Sequence, residues 1–317
     1  MQRVVYLFPG QGAQYVGMGK DLYEEFDCVR EVFERANRLL GYDLAEICFV
    51  GPEEKLNSTA LSQVAIFVTS IAVLEVFEKE VMREEECFAA AGLSLGEYTA
   101  LHYAGAFSFE DALEVVKKRG QYMQQASEEK PGGMVSIIGL EDEEVEKIAK
   151  EASRVGEIIV ANLNSPGQRV LSGDTEAALL VGRLAEERGA LKVVHLKVSG
   201  AFHSSFMASA AGKLERELAQ VEIKPPKVPI VSNVTARFVQ EPEEIRRILV
   251  RQVTSPVLWQ NSMEFLGTKG AEKFYEIGPG RVLSGLLKRT LPEAEVRNVA
   301  DSKSLERLRR RFSAQVT

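Results

Sequence analysis

Apolar residues fall along this chain in two rhythms, one of period two or unbroken, the other of period near 3.6. Val4 to Phe8 is an unbroken apolar run that stops at Pro9-Gly10-Gln11-Gly12, which predicts a buried strand ending in a tight loop. From Lys20 to Leu40, the residues Leu22, Phe26, Val29, Val32, Phe33, Ala36, Leu39 and Leu40 recur at helical spacing and predict one amphipathic helix. Leu61 to Phe77 is apolar on almost every side, which predicts a helix buried in a core. Phe88 to Ala91 reads as a short strand, followed by Gly92-Leu93-Ser94-Leu95-Gly96 and a helix from about Glu97; a further amphipathic helix covers Phe109 to Ala126.

Between Pro131-Gly132-Gly133 and Ser199-Gly200 the rhythm changes. Strand-like runs at Met134–Ile138, Glu157–Leu163, Gln168–Ser172 and Leu191–Val198 are interleaved with helical runs at Glu141–Ala152 and Thr175–Arg188. The order β-α-β-β-α-β is the ferredoxin-like arrangement. It predicts a small domain at 131–198, inserted into a larger one made of 1–130 and 199–317. After the insertion come a strand at Val228–Ser232, a helix at Glu243–Gln252 and a strand at Phe274–Ile277 that ends in Gly278-Pro279-Gly280. Alternating strands and helices on both sides of the insertion predict an α/β fold whose mainly parallel sheet is covered on both faces.

Composition narrows the function classes more than the fold. Hydrophobic residues make up 45% and charged residues 27% of 317, the balance of a globular protein. A net charge of −7 disfavours nucleic acid as a partner, because phosphate binding needs a basic footprint. Cys28, Cys48 and Cys87 are far apart and odd in number, which supports neither a disulfide framework nor a zinc ribbon and suggests a reducing compartment. No apolar run was expected to reach the length that crosses a bilayer, and the N-terminal run is too short for a signal-peptide core. The expected location is the cytoplasm, with no membrane partner and no metal or redox cofactor.

The G-x-S-x-G around Ser94 lies between a strand and a helix. In that context the glycines permit a sharp turn that lifts a serine hydroxyl out at the end of a strand, with helix N–H groups behind it suited to an oxyanion. Such a serine needs a base, and the chain has three histidines. His102 lies on the helix after Ser94, about 12 Å along its axis at ~1.5 Å per residue, too far to reach back. His195 falls inside a strand of the insertion, where a structural histidine is the simpler reading. His203, in a loop where the chain returns to the large domain, is the base by elimination. Arg119 shares a helix face with Val115, Val116 and Met123, so its guanidinium points inward. An inward guanidinium meets either an internal Asp or Glu or a carboxylate on a substrate, and this pattern leaves both open.

Taken together these motifs resemble the malonyl-CoA:acyl-carrier-protein transacylases. The resemblance runs through Phe8 to Gly12, Gly92 to Glu97, Lys118-Arg119-Gly120, Ala161 to Gln168, Ala201-Phe202-His203-Ser204, Gln252 and Gly278 to Gly280. It implies a hydrolase-like core with the ferredoxin-like insertion. It further implies that Ser94 is acylated, that His203 is the base, and that Arg119 clamps the malonyl carboxylate. The N–H groups of Gln11 and Leu95 would form the oxyanion hole, the main-chain carbonyl of Gln252 would orient the base, and Phe202 and Asn162 would line the substrate site. Leu95 and Phe202 resemble the malonyl rather than the methylmalonyl pattern, with Phe202 expected to crowd an α-methyl group. Where the family commonly has a histidine before the nucleophile, this chain has Leu93; that histidine is not the base, so the chemistry is expected to survive.

The implied reaction is ping-pong. Ser94 takes the malonyl group from malonyl-CoA and passes it to the phosphopantetheine thiol of acyl-carrier protein, feeding fatty-acid synthesis. Because carriers are acidic, Arg281, Lys288 and Arg289 are candidate docking residues, with ordinary surface charge the plain alternative. The main rival is a serine esterase or thioesterase of the α/β-hydrolase type, disfavoured because its chain order is nucleophile, acid, then a late histidine. A nucleotide site at Gly10-Gln11-Gly12 lacks the third glycine of a dinucleotide fingerprint, and a P-loop's lysine.

Overall fold

The N-terminal apolar run forms β1 (Arg3–Phe8) in a computed structural model that describes residues 3–81 and 86–315, with side chains to 311. The run predicted as one helix at Lys20–Leu40 is two, α1 (Lys20–Glu25) and α2 (Asp27–Leu40), broken at Phe26, whose φ of −120° and ψ of 127° are extended. Periodicity could not see the break, because the apolar face continues across it. Arg30 makes it tolerable by donating to the carbonyls of Tyr23 and Glu24, which the end of α1 leaves without helical partners. The short helices α3 (Leu44–Phe49) and α4 (Glu53–Asn57) lead into α5 (Thr59–Glu80).

At 22 residues α5 is long and apolar enough to cross a membrane, contrary to the expectation that no run would be. Its sides are instead covered by the core, with Val64, Phe67, Ile71, Val73 and Phe77 all buried. Each such side chain contributes about 1.5–3 kcal/mol through burial, so the apolar character of α5 is accounted for within the fold.

Next come β2 (Cys87–Gly92), α6 (Gly96–Tyr103) and α7 (Phe109–Glu129). The insertion follows as β3 (Gly133–Ile138), α8 (Asp142–Ala152), β4 (Ile158–Ser165), β5 (Gln168–Gly173), α9 (Thr175–Glu187) and β6 (Lys192–His195). Its four strands form an antiparallel sheet in the order β4-β5-β3-β6, the order the ferredoxin-like pattern implies. β6 stops at His195, short of the predicted Val198. From there the chain turns along a cleft, with Leu196, Lys197 and Val198 as part of its wall.

The chain closes with α10 (Ala208–Leu218), β7 (Ile230–Val231), β8 (Phe238–Val239), α11 (Pro242–Gln252), α12 (Trp259–Thr268), β9 (Ala271–Ile277), α13 (Val282–Thr290), β10 (Glu295–Val299) and α14 (Ser302–Gln315). The large sheet runs β10-β9-β1-β2-β7-β8 and is parallel except for β8. β10 escaped the sequence reading because it is an edge strand whose side chains are mostly half-buried, which dilutes the apolar signal. β4 of the insertion is tied to the segment before α12 by a short parallel bridge, in which Val257 N–H donates to Ala161 O at 2.8 Å and Leu163 N–H to Val257 O at 3.0 Å.

Candidate active site

Parallel strands place their following loops at one edge of the sheet, and here β1 and β2 deliver the Gly10 loop and the Ser94 turn side by side. Ser94 has φ of 52°, a left-handed conformation costly for a residue with a Cβ, and the turn is held against that cost from several sides. A Cβ on Gly96 would lie 2.1 Å from Phe8 O, and one on Gly92 would lie 1.9 Å from the Gly96 backbone. Both glycines are therefore required by the close approach of β1, β2 and α6. Asn233 adds a brace, since its Oδ1 accepts from Ser94 N–H at 2.6 Å and its Nδ2 donates to Gly92 O at 2.7 Å.

His203 reaches the same point from the far side of the insertion, 109 residues on. Its Nε2 lies 2.8 Å from Ser94 Oγ, and its Nδ1 lies 2.7 Å from the main-chain oxygen of Gln252. That oxygen belongs to the last residue of α11, where helical carbonyls lack intrahelical donors and the helix dipole is negative. It therefore accepts Nδ1–H and leaves the Nε2 lone pair facing the serine hydroxyl. The task a buried aspartate performs in a Ser-His-Asp triad falls here to a helix terminus.

Burial, and after it the nearby Arg119 guanidinium, pushes His203 down to about 4. The base is thus neutral, and able to take a proton, far below the ordinary histidine range. The acid limb of single-turnover acylation is expected to have its midpoint near pH 4 rather than 6.5, with the fold followed by circular dichroism at each pH. A midpoint at 6.5 would show that His203 is solvated as an ordinary histidine. The same shift has a stability consequence: between 6.5 and 4 the unfolded chain binds the proton that folded His203 refuses, so stability is lost as pH falls through that window. Glu97, raised to about 7 chiefly by burial, works in the opposite sense, its contribution being full below 4.5 and lost as pH rises towards 7.

Arg119, on α7, is 1% exposed, and its surroundings decide between the two readings of its inward position. Its Nη1 donates to Gln63 Oε1 at 2.5 Å, and its Nη2 donates to Gln252 Oε1 at 2.9 Å and to Ser94 Oγ at 3.0 Å. Its Nε is buried without an acceptor. Among the described residues no carboxylate comes within ion-pair distance of it; the buried Glu97 reaches it only electrostatically and through the Gln252 carboxamide. The guanidinium is thus held beside Ser94 Oγ by two neutral amides and the face of the Tyr98 ring, with no carboxylate in direct contact to neutralise it.

Of the remaining predicted residues all but the buried Leu95 line one cleft of about 390 Å³ between the large sheet and the insertion. Gln11, Asn162, Phe202 and Leu93 all face it, together with Ser94, Arg119 and His203. Phe202 is fixed from behind by Ser172 Oγ, which donates to its carbonyl at 2.7 Å. Among the described residues, neither the Gln11 nor the Leu95 amide donates to a protein acceptor, and Leu95 caps the N-terminus of α6 beside the serine. The other histidines stand apart: His102 packs on the rings of Phe67 and Phe109, and His195 is exposed at the end of β6. No group of three or more His, Cys, Asp or Glu able to hold a metal occurs among the described residues.

Four features of the site were missed in the sequence: Gln63, Glu97, Asn233 and the side chain of Gln252. Gln63 carried a usable signal, as a lone amide in the middle of an apolar helix. Glu97 and Asn233 carried none beyond their neighbourhood, since only the fold brings α6 and the segment after β7 under the same turn.

With this geometry the comparisons with known proteins agree. The model of the acyl transferase domain family matches residues 5–317. The chain is 40% identical over 307 residues to the malonyl CoA-acyl carrier protein transacylase of Bacillus subtilis, covering 96% of each chain. It is 40% identical over 289 residues to the Escherichia coli protein of the same name, covering 91% of this chain and 93% of that one. Among solved structures, the malonyl CoA-acyl carrier protein transacylase of Coxiella burnetii superposes with a TM-score of 0.93 at 35% identity, over 98% of each chain. A malonyl-transacylase solved in complex with a type II polyketide acyl-carrier protein gives a TM-score of 0.93 at 38% identity, over 98% of this chain and 99% of that one. The chain belongs to the acyl transferase domain family, among its malonyl-CoA:acyl-carrier-protein transacylases.

Proposed function

We propose that this protein transfers a malonyl group from malonyl-CoA to the phosphopantetheine thiol of acyl-carrier protein, for fatty-acid or polyketide synthesis, through a malonyl ester on Ser94. The observation that carries this reading is Arg119, buried, without a carboxylate partner and 3.0 Å from Ser94 Oγ. A guanidinium there favours an acyl group with its own carboxylate, which a simple fatty acyl thioester lacks.

Attack by Ser94 Oγ on the thioester carbonyl forms the ester bond as Nε2 of His203 takes the hydroxyl proton. Breaking the carbon–sulfur bond releases coenzyme A, whose thiolate receives that proton. In the second half His203 takes the proton of the carrier thiol, the sulfur attacks the malonyl ester, and Ser94 Oγ leaves with the proton returned from His203. The amides of Gln11 and Leu95 stabilise the oxyanion in both halves. Phe202 and Asn162 shape the acyl end of the cleft. We further assign the chain two domains, 131–198 inserted between 1–130 and 199–317, and a cytoplasmic location, supported by three free cysteines and by an apolar helix already consumed in the core. The direct test is to follow intact mass with malonyl-CoA and then with added holo-carrier: an adduct that forms and then moves to the carrier supports the reading, whereas free malonate as the main product supports a thioesterase.

The acidic carrier needs a positive surface near the cleft, and the candidates for it separate in the fold. Arg289 is engaged with Ser165 and Gln168 of the insertion. Arg281 and Lys288 instead line a groove of about 450 Å³ with Arg307 and Arg311, and no acid lines it among the described residues. It lies on the side of α13 away from Val282 and Leu286, which face the catalytic cleft. Lys288→Glu with Arg307→Glu is expected to raise the KM for holo-carrier about tenfold and to leave malonylation of Ser94 by malonyl-CoA within twofold. Unchanged KM would remove this groove as the docking surface.

A further inference from the structure

Beneath the nucleophile lies a buried side chain that the reaction as described does not use. Glu97 stands three residues after Ser94 on α6 and is 1% exposed, yet it carries no partner cation within ion-pair distance among the described residues. Its Oε2 accepts from Gln252 Nε2 at 2.5 Å and from Asn233 N–H at 3.4 Å. Gln252 Nε2 also donates to the main-chain oxygen of Ser94 at 2.9 Å. Both acceptors oppose the same amide nitrogen, so the Gln252 carboxamide has one orientation open to it, with Oε1 on the opposite side.

That oxygen is the one that receives Nη2 of Arg119. A guanidinium has donors only, so an inverted carboxamide would set NH₂ against NH₂ at Arg119 and oxygen against oxygen at Glu97 and Ser94. Gln252 therefore divides its work. Its main-chain oxygen holds the base, and its side chain holds the clamp, aimed by Glu97.

We propose that Glu97 is a positioning residue for acyl-group selection: by fixing the Gln252 carboxamide it aims Arg119 at the carboxylate of the incoming acyl group. This rests on the transacylase reading above. The role requires an acceptor oxygen at residue 97, which a carboxylate or an amide supplies and a hydrocarbon does not. It predicts a selective defect, because the His203 contact is to the Gln252 main chain, and the Ser94 turn keeps its Asn233 brace and its Gly92 and Gly96 contacts when the Gln252 side chain shifts.

The test compares Ser94 acylation by malonyl-CoA and by acetyl-CoA in single-turnover mass measurements, with folding checked by thermal denaturation. Glu97→Met, which retains length without an acceptor, is expected to lower the malonyl rate at least tenfold and the acetyl rate less than threefold. Glu97→Gln is expected to restore the malonyl-to-acetyl ratio to within threefold of the wild type. In a Gln252→Met background, Glu97→Met is expected to change the ratio no further. Glu97→Ala serves as the acceptor-free variant if Glu97→Met does not fold. Equal losses with both thioesters would reduce Glu97 to a structural role and overturn the proposal, as would a ratio unchanged by removal of the acceptor. A ratio that falls as far in Glu97→Gln as in Glu97→Met would overturn it too, since charge rather than orientation would then be at work. Failure of wild-type protein to be acylated by either thioester would instead sink the transacylase reading itself.

Discussion

Ser94→Ala is expected to abolish the malonyl adduct and to lower transfer to the carrier by at least about a thousandfold, because the proposed mechanism carries the acyl group on that hydroxyl. The expectation is unusually clean for two reasons. The hydroxyl oxygen is the meeting point of His203 Nε2 and Arg119 Nη2, at 2.8 and 3.0 Å, so its removal disconnects base and clamp from the reacting atom at once. The fold, in contrast, has little to lose. What holds the turn is the backbone of Ser94, through Asn233, and the contacts around Gly92 and Gly96, none of which uses the hydroxyl. Alanine also lets the positive φ of 52° persist at a cost similar to that of serine. The variant should therefore melt close to the wild type while losing the adduct in intact-mass spectra. A persistent adduct would mean that the acyl group is carried elsewhere, and would end the Ser94 mechanism.

Arg119→Ala should separate acyl groups by their charge. The guanidinium is 1% exposed, and removing one partner of a buried ion pair costs about 3–5 kcal/mol. At about 1.4 kcal/mol per factor of ten, malonyl acylation is expected to fall by about two to three and a half orders of magnitude. Acetyl acylation has no carboxylate to lose and should hold steady or rise. Arg119→Lys should rescue little, since an ammonium cannot replace the planar fork that reaches Gln63, Gln252 and the substrate together. Parallel loss of both activities in a folded variant would make Arg119 a brace for Ser94 Oγ rather than a selector. That outcome would also weaken the malonyl assignment, because the carboxylate preference rests on this residue.

The apolar substitution of Leu93 for the family's more frequent histidine fits the same geometry. Leu93 faces the cleft beside the nucleophile, but neither His203 nor Arg119 depends on it for a hydrogen bond. The contacts of His203 and Arg119 to Ser94 Oγ are made without its side chain, which is the structural reason to expect chemistry to survive the change.

Local chemistry carried a large part of this protein's identity in its sequence. Strand and helix periods yielded the ferredoxin-like order of the insertion and the strand–turn–helix around Ser94, because those depend on neighbours a few residues apart. The glycines flanking Ser94 were readable for the same reason: a turn that tight admits no Cβ wherever it occurs. The inward face of Arg119 followed from helical spacing alone. What Arg119 meets there did not, since Gln63 and Gln252 lie 56 and 133 residues away and any acid in the chain could have stood in their place. The break at Phe26 was hidden because it leaves the apolar face continuous, and β10 because an edge strand shows little alternation. Glu97 and Asn233 meet Gln252 and Ser94 only because α6, α11 and the segment after β7 converge under one turn. A sequence records the period of each element and the type of each side chain. The partners of a buried polar group are set by which elements pack together, and in this site that packing brings a histidine and an arginine to one serine oxygen.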